Sequence, residues 1–187
     1  MKMLTLTPLT LAAALSACQG EPESSEPQNS AELTALAITS IADRDGNEVG
    51  EAVLNRTDDR LTIELELSQF ESGTKAFHLH SVGRCDGPDF KSAGGHLNPD
   101  GKSHGKLSAD GQHLGDLPNL EIPDDGNVRI QIDIAGRADA VVASIDDQDG
   151  TAVMIHAGPD DYISDPAGAA GPRIACGVLE FVAQPEI

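Results

Sequence analysis

Seven residues from Leu61 to Leu67 alternate apolar and polar side chains, and the seven from Val128 to Ile134 do the same. Successive side chains of a strand point to opposite faces, so period two means one buried face and one wet face. A chain made of such segments must pair them into sheets. Further strand candidates lie at 35–41, 48–55, 74–82, 111–117, 140–144, 151–156 and 174–182. The pairs Asp45-Gly46, Asp125-Gly126 and Asp149-Gly150 punctuate them as turns. No segment carries a sustained helical stripe. The reading is all-β, an antiparallel sandwich or barrel of about eight strands.

Two stretches break that rhythm. From 81 to 112 the chain is rich in Gly, Pro and Asp with little to bury, and 157–172 is similar. Structureless loops of that length are usually functional. Both are tied to histidines.

All six histidines fall into one pattern with none left over. His78 and His80 form an i, i+2 pair, which a strand presents to one side. His96, His104 and His113 follow at intervals of eight and nine residues, with Asp116 three residues on. His156 ends the apolar run Val153-Met154-Ile155. A His-x-His pair alone is weak evidence, since surface or core histidines are common. Three ring nitrogens and a carboxylate, however, are an ordinary tetrahedral zinc set, and imidazole also suits copper.

The first 17 residues read as a secretory signal: Lys2, an apolar run to Leu15, then Ser16-Ala17 before Cys18. Small residues before a cysteine resemble a lipoprotein cleavage box; an ordinary signal cut nearby is the alternative. Residues 18–32, rich in Pro, Glu and Ser, read as a lipidated Cys18 followed by a solvated tether. Residues 33–187 then form one domain, exported to the periplasm and membrane-anchored through lipid. Assigning Cys18 to lipid leaves Cys85 and Cys176 as an even pair in an oxidising compartment, with two free thiols as the alternative. A bridge closing a loop of that size contributes roughly 4–5 kcal/mol on the chain-entropy view.

The formal charge is −19, from 31 acidic and 12 basic residues. Such a surface repels nucleic acid, and no basic stripe argues otherwise. With no Trp, one Tyr and four Phe, a ring-lined sugar or nucleotide site is also disfavoured. Calcium binding at the Asp-Gly turns fails as well. The first position of an EF-type loop would fall on Ile41 or Ile145, neither of which is a ligand.

The ordered segments Ala76-Phe77-His78-Leu79-His80, Ala93-Gly94-Gly95-His96-Leu97-Asn98-Pro99, His104-Gly105, His113-Leu114-Gly115-Asp116-Leu117, Met154-Ile155-His156 and Gly171-Pro172-Arg173-Ile174-Ala175-Cys176-Gly177-Val178 resemble the bacterial branch of the copper/zinc superoxide dismutases. The resemblance runs from about residue 33 to the end. It implies a flattened, immunoglobulin-like, eight-stranded Greek-key β-barrel with two long functional loops. It also implies conversion of superoxide to dioxygen and hydrogen peroxide by alternating reduction and reoxidation of a copper ion, bridged to a structural zinc through His96. Carried over by position, copper takes His78, His80, His96 and His156, and zinc takes His96, His104, His113 and Asp116. His96 would take a proton when copper is reduced, and Arg173 would orient the anion. Asp160 would link a copper histidine to a zinc histidine, and Cys85 and Cys176 would form the intrachain disulfide. Superoxide is the expected substrate, membrane contact is expected only through the lipid at Cys18, and a homodimer is left open. Lys91, Lys102 and Lys106 are the lysines available to the first loop for guiding the anion; the second loop has none. A copper-binding or storage domain on the same scaffold is the competing reading, favoured by loss of a copper histidine or the arginine. All are present.

Overall fold

The computed structural model describes residues 33–183; the expected leader, Cys18, the tether and residues 184–187 lie outside the described residues. The described elements are β1 (Thr34–Asp43), β2 (Glu48–Thr57), β3 (Arg60–Leu67), β4 (Gly73–Lys75), β5 (Phe77–His80), β6 (Leu120–Ile122), β7 (Val128–Ile134), α1 (Ala138–Ile145), β8 (Ala152–His156), β9 (Arg173–Val178) and β10 (Glu180–Phe181).

Seven strands pair in the order β5-β8-β9-β1-β2-β3-β7, and β10 pairs with the first half of β1. Every pairing is antiparallel. The ends of this sheet are joined through the small β4–β6 sheet, because β4 runs into β5 at Ala76 and β6 leads into β7. The result is a curled Greek-key barrel whose first and last long strands, β1 and β9, are neighbours.

The alternation seen in the sequence fills it. Leu61, Ile63, Leu65 and Leu67 of β3 are fully buried against Leu54 of β2 and Ile132 and Ile134 of β7. Each such side chain stabilises the fold by roughly 1.5–3 kcal/mol. On the wet face, Arg129 reaches across the β3–β7 register to Glu64 at 2.7 Å and Glu66 at 3.3 Å. Exposed pairs of that kind add little.

Two local expectations are corrected, and one short strand lies outside the candidates read from the sequence. Residues 140–144 are helical, inside α1: Val141-Val142 favours a strand by propensity, but Ala138, Val141 and Ile145 at helical spacing are the side chains that pack. Residues 111–117 form a turn laid against β5, where Leu79 N–H donates to the Gly115 carbonyl at 2.9 Å. The Asp116 carboxylate organises that turn. Leu120–Ile122 forms a three-residue strand, too short for a period to register.

Candidate metal centre

β5 places His78 and His80 on the outer side of the barrel wall, while Phe77 and Leu79 point into the core. β8 brings His156 alongside, since Phe77 pairs with Ile155 in the β5–β8 register. The 81–112 loop folds back so that His96 lies against His80, and the 111–117 turn sets Asp116 against His78. Loops thus cover a strand face that would otherwise be wet. All six histidines and Asp116 are buried, with His78, His80 and His104 fully so.

The hydrogen bonds decide which ring nitrogen is available as a ligand. His78 Nε2–H donates to Asp160 Oδ2 at 2.8 Å, which leaves Nδ1 with its lone pair. His80 Nδ1–H donates to the Gly94 carbonyl at 3.0 Å and His156 Nδ1–H to the Gly171 carbonyl at 3.1 Å, which frees Nε2 on each. His104 Nε2–H donates to Asp160 Oδ1 at 2.9 Å, which frees Nδ1. His78 Nδ1, His80 Nε2, His96 Nε2, His104 Nδ1 and His156 Nε2 are buried without any hydrogen-bond partner. Buried polar atoms are almost always satisfied, so five orphaned nitrogens in one place call for a cation.

The atoms form two sets, each within 4.8 Å: His78, His80, His96 and His156, and His96, His104, His113 and Asp116. His96 belongs to both. In the second set, Asp116 Oδ1 lies 2.8 Å from His96 Nδ1 and 3.1 Å from both His104 Nδ1 and His113 Nδ1. Donors at ~2.0 Å around a tetrahedral zinc stand roughly 3.3 Å apart, so this spacing suits that ion. Oδ2 of the same carboxylate is held by Gly105 N–H at 2.7 Å and His113 N–H at 3.0 Å, which aims Oδ1 at the rings. The first set, four imidazoles, suits copper.

Protonation agrees with ligation. Burial, with like-charge repulsion from neighbouring histidines and Arg173, pushes His80 down to about 2 and His156 to about 3. Burial likewise takes His96 to about 4, against the opposing pull of Asp116. All three are neutral at pH 7, the form that binds metal. Burial would raise the two carboxylates, but hydrogen bonds outweigh it. Those from His96 and Gly105 bring Asp116 to about 2, and those from His78 and His104 hold Asp160 well below the ordinary carboxylate range.

Asp160 is the predicted link between the two sets, and its surroundings fix it. Asn119 accepts from Asp160 N–H at 2.9 Å and donates to its carbonyl at 3.0 Å. Gly168, at φ 62°, leaves room that a Cβ would take from the Asp160 carboxylate and His104. Arg173, half-buried on β9, donates to the carbonyls of Phe90 at 2.7 Å and Gly94 at 2.6 Å. Cys85 and Cys176 are bonded, 5.8 Å apart at Cα, which ties the 81–112 loop to β9.

Several contributors carry no mark in the residue pattern. Backbone carbonyls such as Gly94 and Gly171 have no residue signature. Lys75 is buried with its ammonium 3.1 Å from the Ala157 carbonyl, beside His156, and nothing in the alternation marks it. Of the loop lysines, Lys91 is paired with Asp89 at 2.7 Å and Lys106 lies over the Tyr162 ring at 3.9 Å.

The profile of the copper/zinc superoxide dismutase family matches residues 48–179, a span that takes in both ligand sets. The chain belongs to the copper/zinc superoxide dismutase family. Among its relatives, a Cu-Zn superoxide dismutase of Aquifex aeolicus is 47% identical over 143 residues, covering 75% of this chain and 85% of that one. The Escherichia coli Cu-Zn superoxide dismutase is 35% identical over 150 residues, covering 72% and 80%. In structure, a double mutant of a superoxide dismutase-like protein from Bacillus subtilis superposes with TM-score 0.72 at 38% identity, covering 78% of this chain and 98% of that one. The Brucella abortus Cu/Zn superoxide dismutase superposes at 0.64 with 28% identity, covering 80% and 100%. Copper and zinc are the metals of this family, and the two ligand sets fit them.

Proposed function

We propose that this superoxide dismutase holds copper on His78 Nδ1, His80 Nε2, His96 Nε2 and His156 Nε2, and zinc on His96 Nδ1, His104 Nδ1, His113 Nδ1 and Asp116 Oδ1. The observation that carries the assignment is the set of buried ring nitrogens without partners. The reaction takes two superoxide anions and two protons to dioxygen and hydrogen peroxide. When bound, copper supplies the one-electron redox couple and zinc a fixed positive charge.

The chain's own residues do the rest. Arg173 presents its guanidinium to the anion and, through the Gly94 carbonyl it shares with His80, keeps that charge in register with the copper set. His96 keeps Nδ1 turned to the zinc set, and its Nε2, when not bound to copper, would hold the proton destined for peroxide. Asp160 fixes the tautomers of His78 and His104 together. A storage domain would have no need of Arg173 beside the copper ligands.

Export and anchoring belong to the same proposal. Residues 1–17 act as a signal, Cys18 is lipidated, 18–32 form a tether, and 33–187 form the enzyme domain, in the periplasm. The bonded Cys85–Cys176 pair supports an oxidising compartment. Palmitate labelling of the full chain and of Cys18→Ala tests the anchor, and sedimentation of the metal-loaded protein decides whether it dimerises.

The function is tested on one copper- and zinc-loaded preparation by metal content and superoxide dismutation, alongside His78→Ala. Near-equal copper and zinc with fast turnover, abolished by the variant, is the expected result. Bound metal without turnover in the wild type would leave a metal-binding module only.

A further inference from the structure

The chain has seven arginines. Arg56, Arg60, Arg84, Arg129 and Arg137 each pair with a carboxylate. Among the described residues, Arg44 and Arg173 are the two arginines in no ion pair, and they touch. Arg44 Nε–H donates to the Arg173 carbonyl at 2.6 Å. In a protein of charge −19, two neighbouring arginines outside any ion pair are an exception, with Asp89, already paired to Lys91, the one carboxylate acting on Arg173 at longer range.

Their setting is the edge of the loop whose carbonyls hold the Arg173 guanidinium beside the His80 ligand. Arg44 lies in the β1–β2 turn, exposed, and its backbone carbonyl faces Gly87 in the loop that supplies Phe90. Phe90 and Gly94 hold the Arg173 guanidinium, and Gly94 also holds His80. Arg44 therefore sits one hydrogen bond from the residue that meets the anion. Its two flanking carboxylates differ: Asp43 is turned into its own loop, accepting from Asp45 N–H, Asn47 N–H and Asn47 Nδ2–H, and Asp45 is exposed. The nearby lysine, Lys91, is already matched by Asp89.

We propose that Arg44 is a second anion-attracting residue, which draws superoxide to this edge before Arg173 receives it and offsets locally the repulsion of the acidic surface. The proposal rests on the superoxide dismutase reading above. Arg44 touches no metal ligand, so its effect falls on the encounter and leaves metal loading alone. Electrostatic attraction by one exposed charge changes an association rate by a few-fold at low salt. It fades once the screening length falls to ~3 Å near 1 M salt.

The test uses the copper- and zinc-loaded full chain and Arg44→Ala, Arg44→Glu and Arg44→Lys, each with metal content measured. Two quantities are followed from ~0.01 to ~1 M ionic strength: the second-order rate constant for superoxide, and the dissociation constant for azide from the visible absorption of copper. The expected result is a loss of about two- to fivefold in both for Arg44→Ala at low salt, larger for Arg44→Glu, restored by Arg44→Lys and absent at high salt. Unchanged rates and azide affinity overturn the proposal. So does a loss that is equal at every salt concentration and not restored by lysine, which would mean that Arg44 only braces the Arg173 carbonyl. A wild-type protein that loads both metals but does not turn over refutes the function itself, and the azide series alone then decides whether Arg44 attracts anions.

Discussion

His78 and His104 share one carboxylate: Asp160 accepts from His78 Nε2–H at 2.8 Å through one oxygen and from His104 Nε2–H at 2.9 Å through the other. Because His78 lies in one ligand set and His104 in the other, a single side chain fixes the tautomer of a ligand in each. The two ligand sets are thereby coupled through one side chain.

Asp160→Ala therefore weakens both metals at once. Alanine removes both acceptors, so neither His78 nor His104 keeps the partner that orients it. Partners of ligand histidines typically contribute 10–100-fold in affinity. Competition with a chelator should show loss of that order for copper and zinc together; loss confined to one metal would contradict the shared role.

The metal-free protein should lose stability as pH falls below about 6.5. His80, His96 and His156 have folded values of about 2, 4 and 3 against 6.5 for the unfolded chain. Between these limits the unfolded state binds protons that the native state refuses, so stability rises with pH and is lost on acidification. Each histidine costs roughly 1 kcal/mol one unit below 6.5, so the three together cost a few kcal/mol at pH 5.5. Urea midpoints of the metal-free chain at pH 7.5 and 5.5 measure it. A flat profile would show that these imidazoles are not buried in their neutral form.

Lys75→Met keeps the length of the side chain but removes the donor to the Ala157 carbonyl, next to His156. Leaving that half-buried carbonyl without its donor, and losing the contact of the ammonium with Glu71 at 3.4 Å, costs about 1 kcal/mol. The urea midpoint should fall accordingly, with copper affinity reduced more than zinc affinity.

Arg173→Ala should lower the second-order rate constant for superoxide about tenfold or more, with copper and zinc content unchanged. Parallel loss of copper would instead place Arg173 among the supports of the His80 ligand.

What the sequence made legible follows from what each interaction leaves in it. β3 and β7 were readable because Leu61 to Leu67 and Val128 to Ile134 each bury one face, and burial on one face imposes a period of two. The ligands were readable as residue types, because six histidines and Asp116 have few other uses in such order. The choice of nitrogen was not, since it depends on Gly94, Gly171 and Asp160, partners 14, 15 and 82 residues from the rings they orient. α1 was misread because Val141-Val142 carries strand propensity while the packed positions 138, 141 and 145 follow the helical period. Arg44 was invisible because its meaning lies in a contact across 129 residues.

The Cys85–Cys176 bond spans 91 residues and fastens the loop that carries Phe90 to the strand that carries Arg173. Before that bond closes, the loop lacks its covalent tie to β9, and the carbonyl that steadies the arginine is correspondingly less constrained. His78, His80 and His156 stand on β5 and β8, but His96 and His104 ride on that same loop, and its Gly94 carbonyl orients His80 as well as Arg173. One covalent bond therefore braces the ligand loop and the arginine together, and its reduction should loosen both at once.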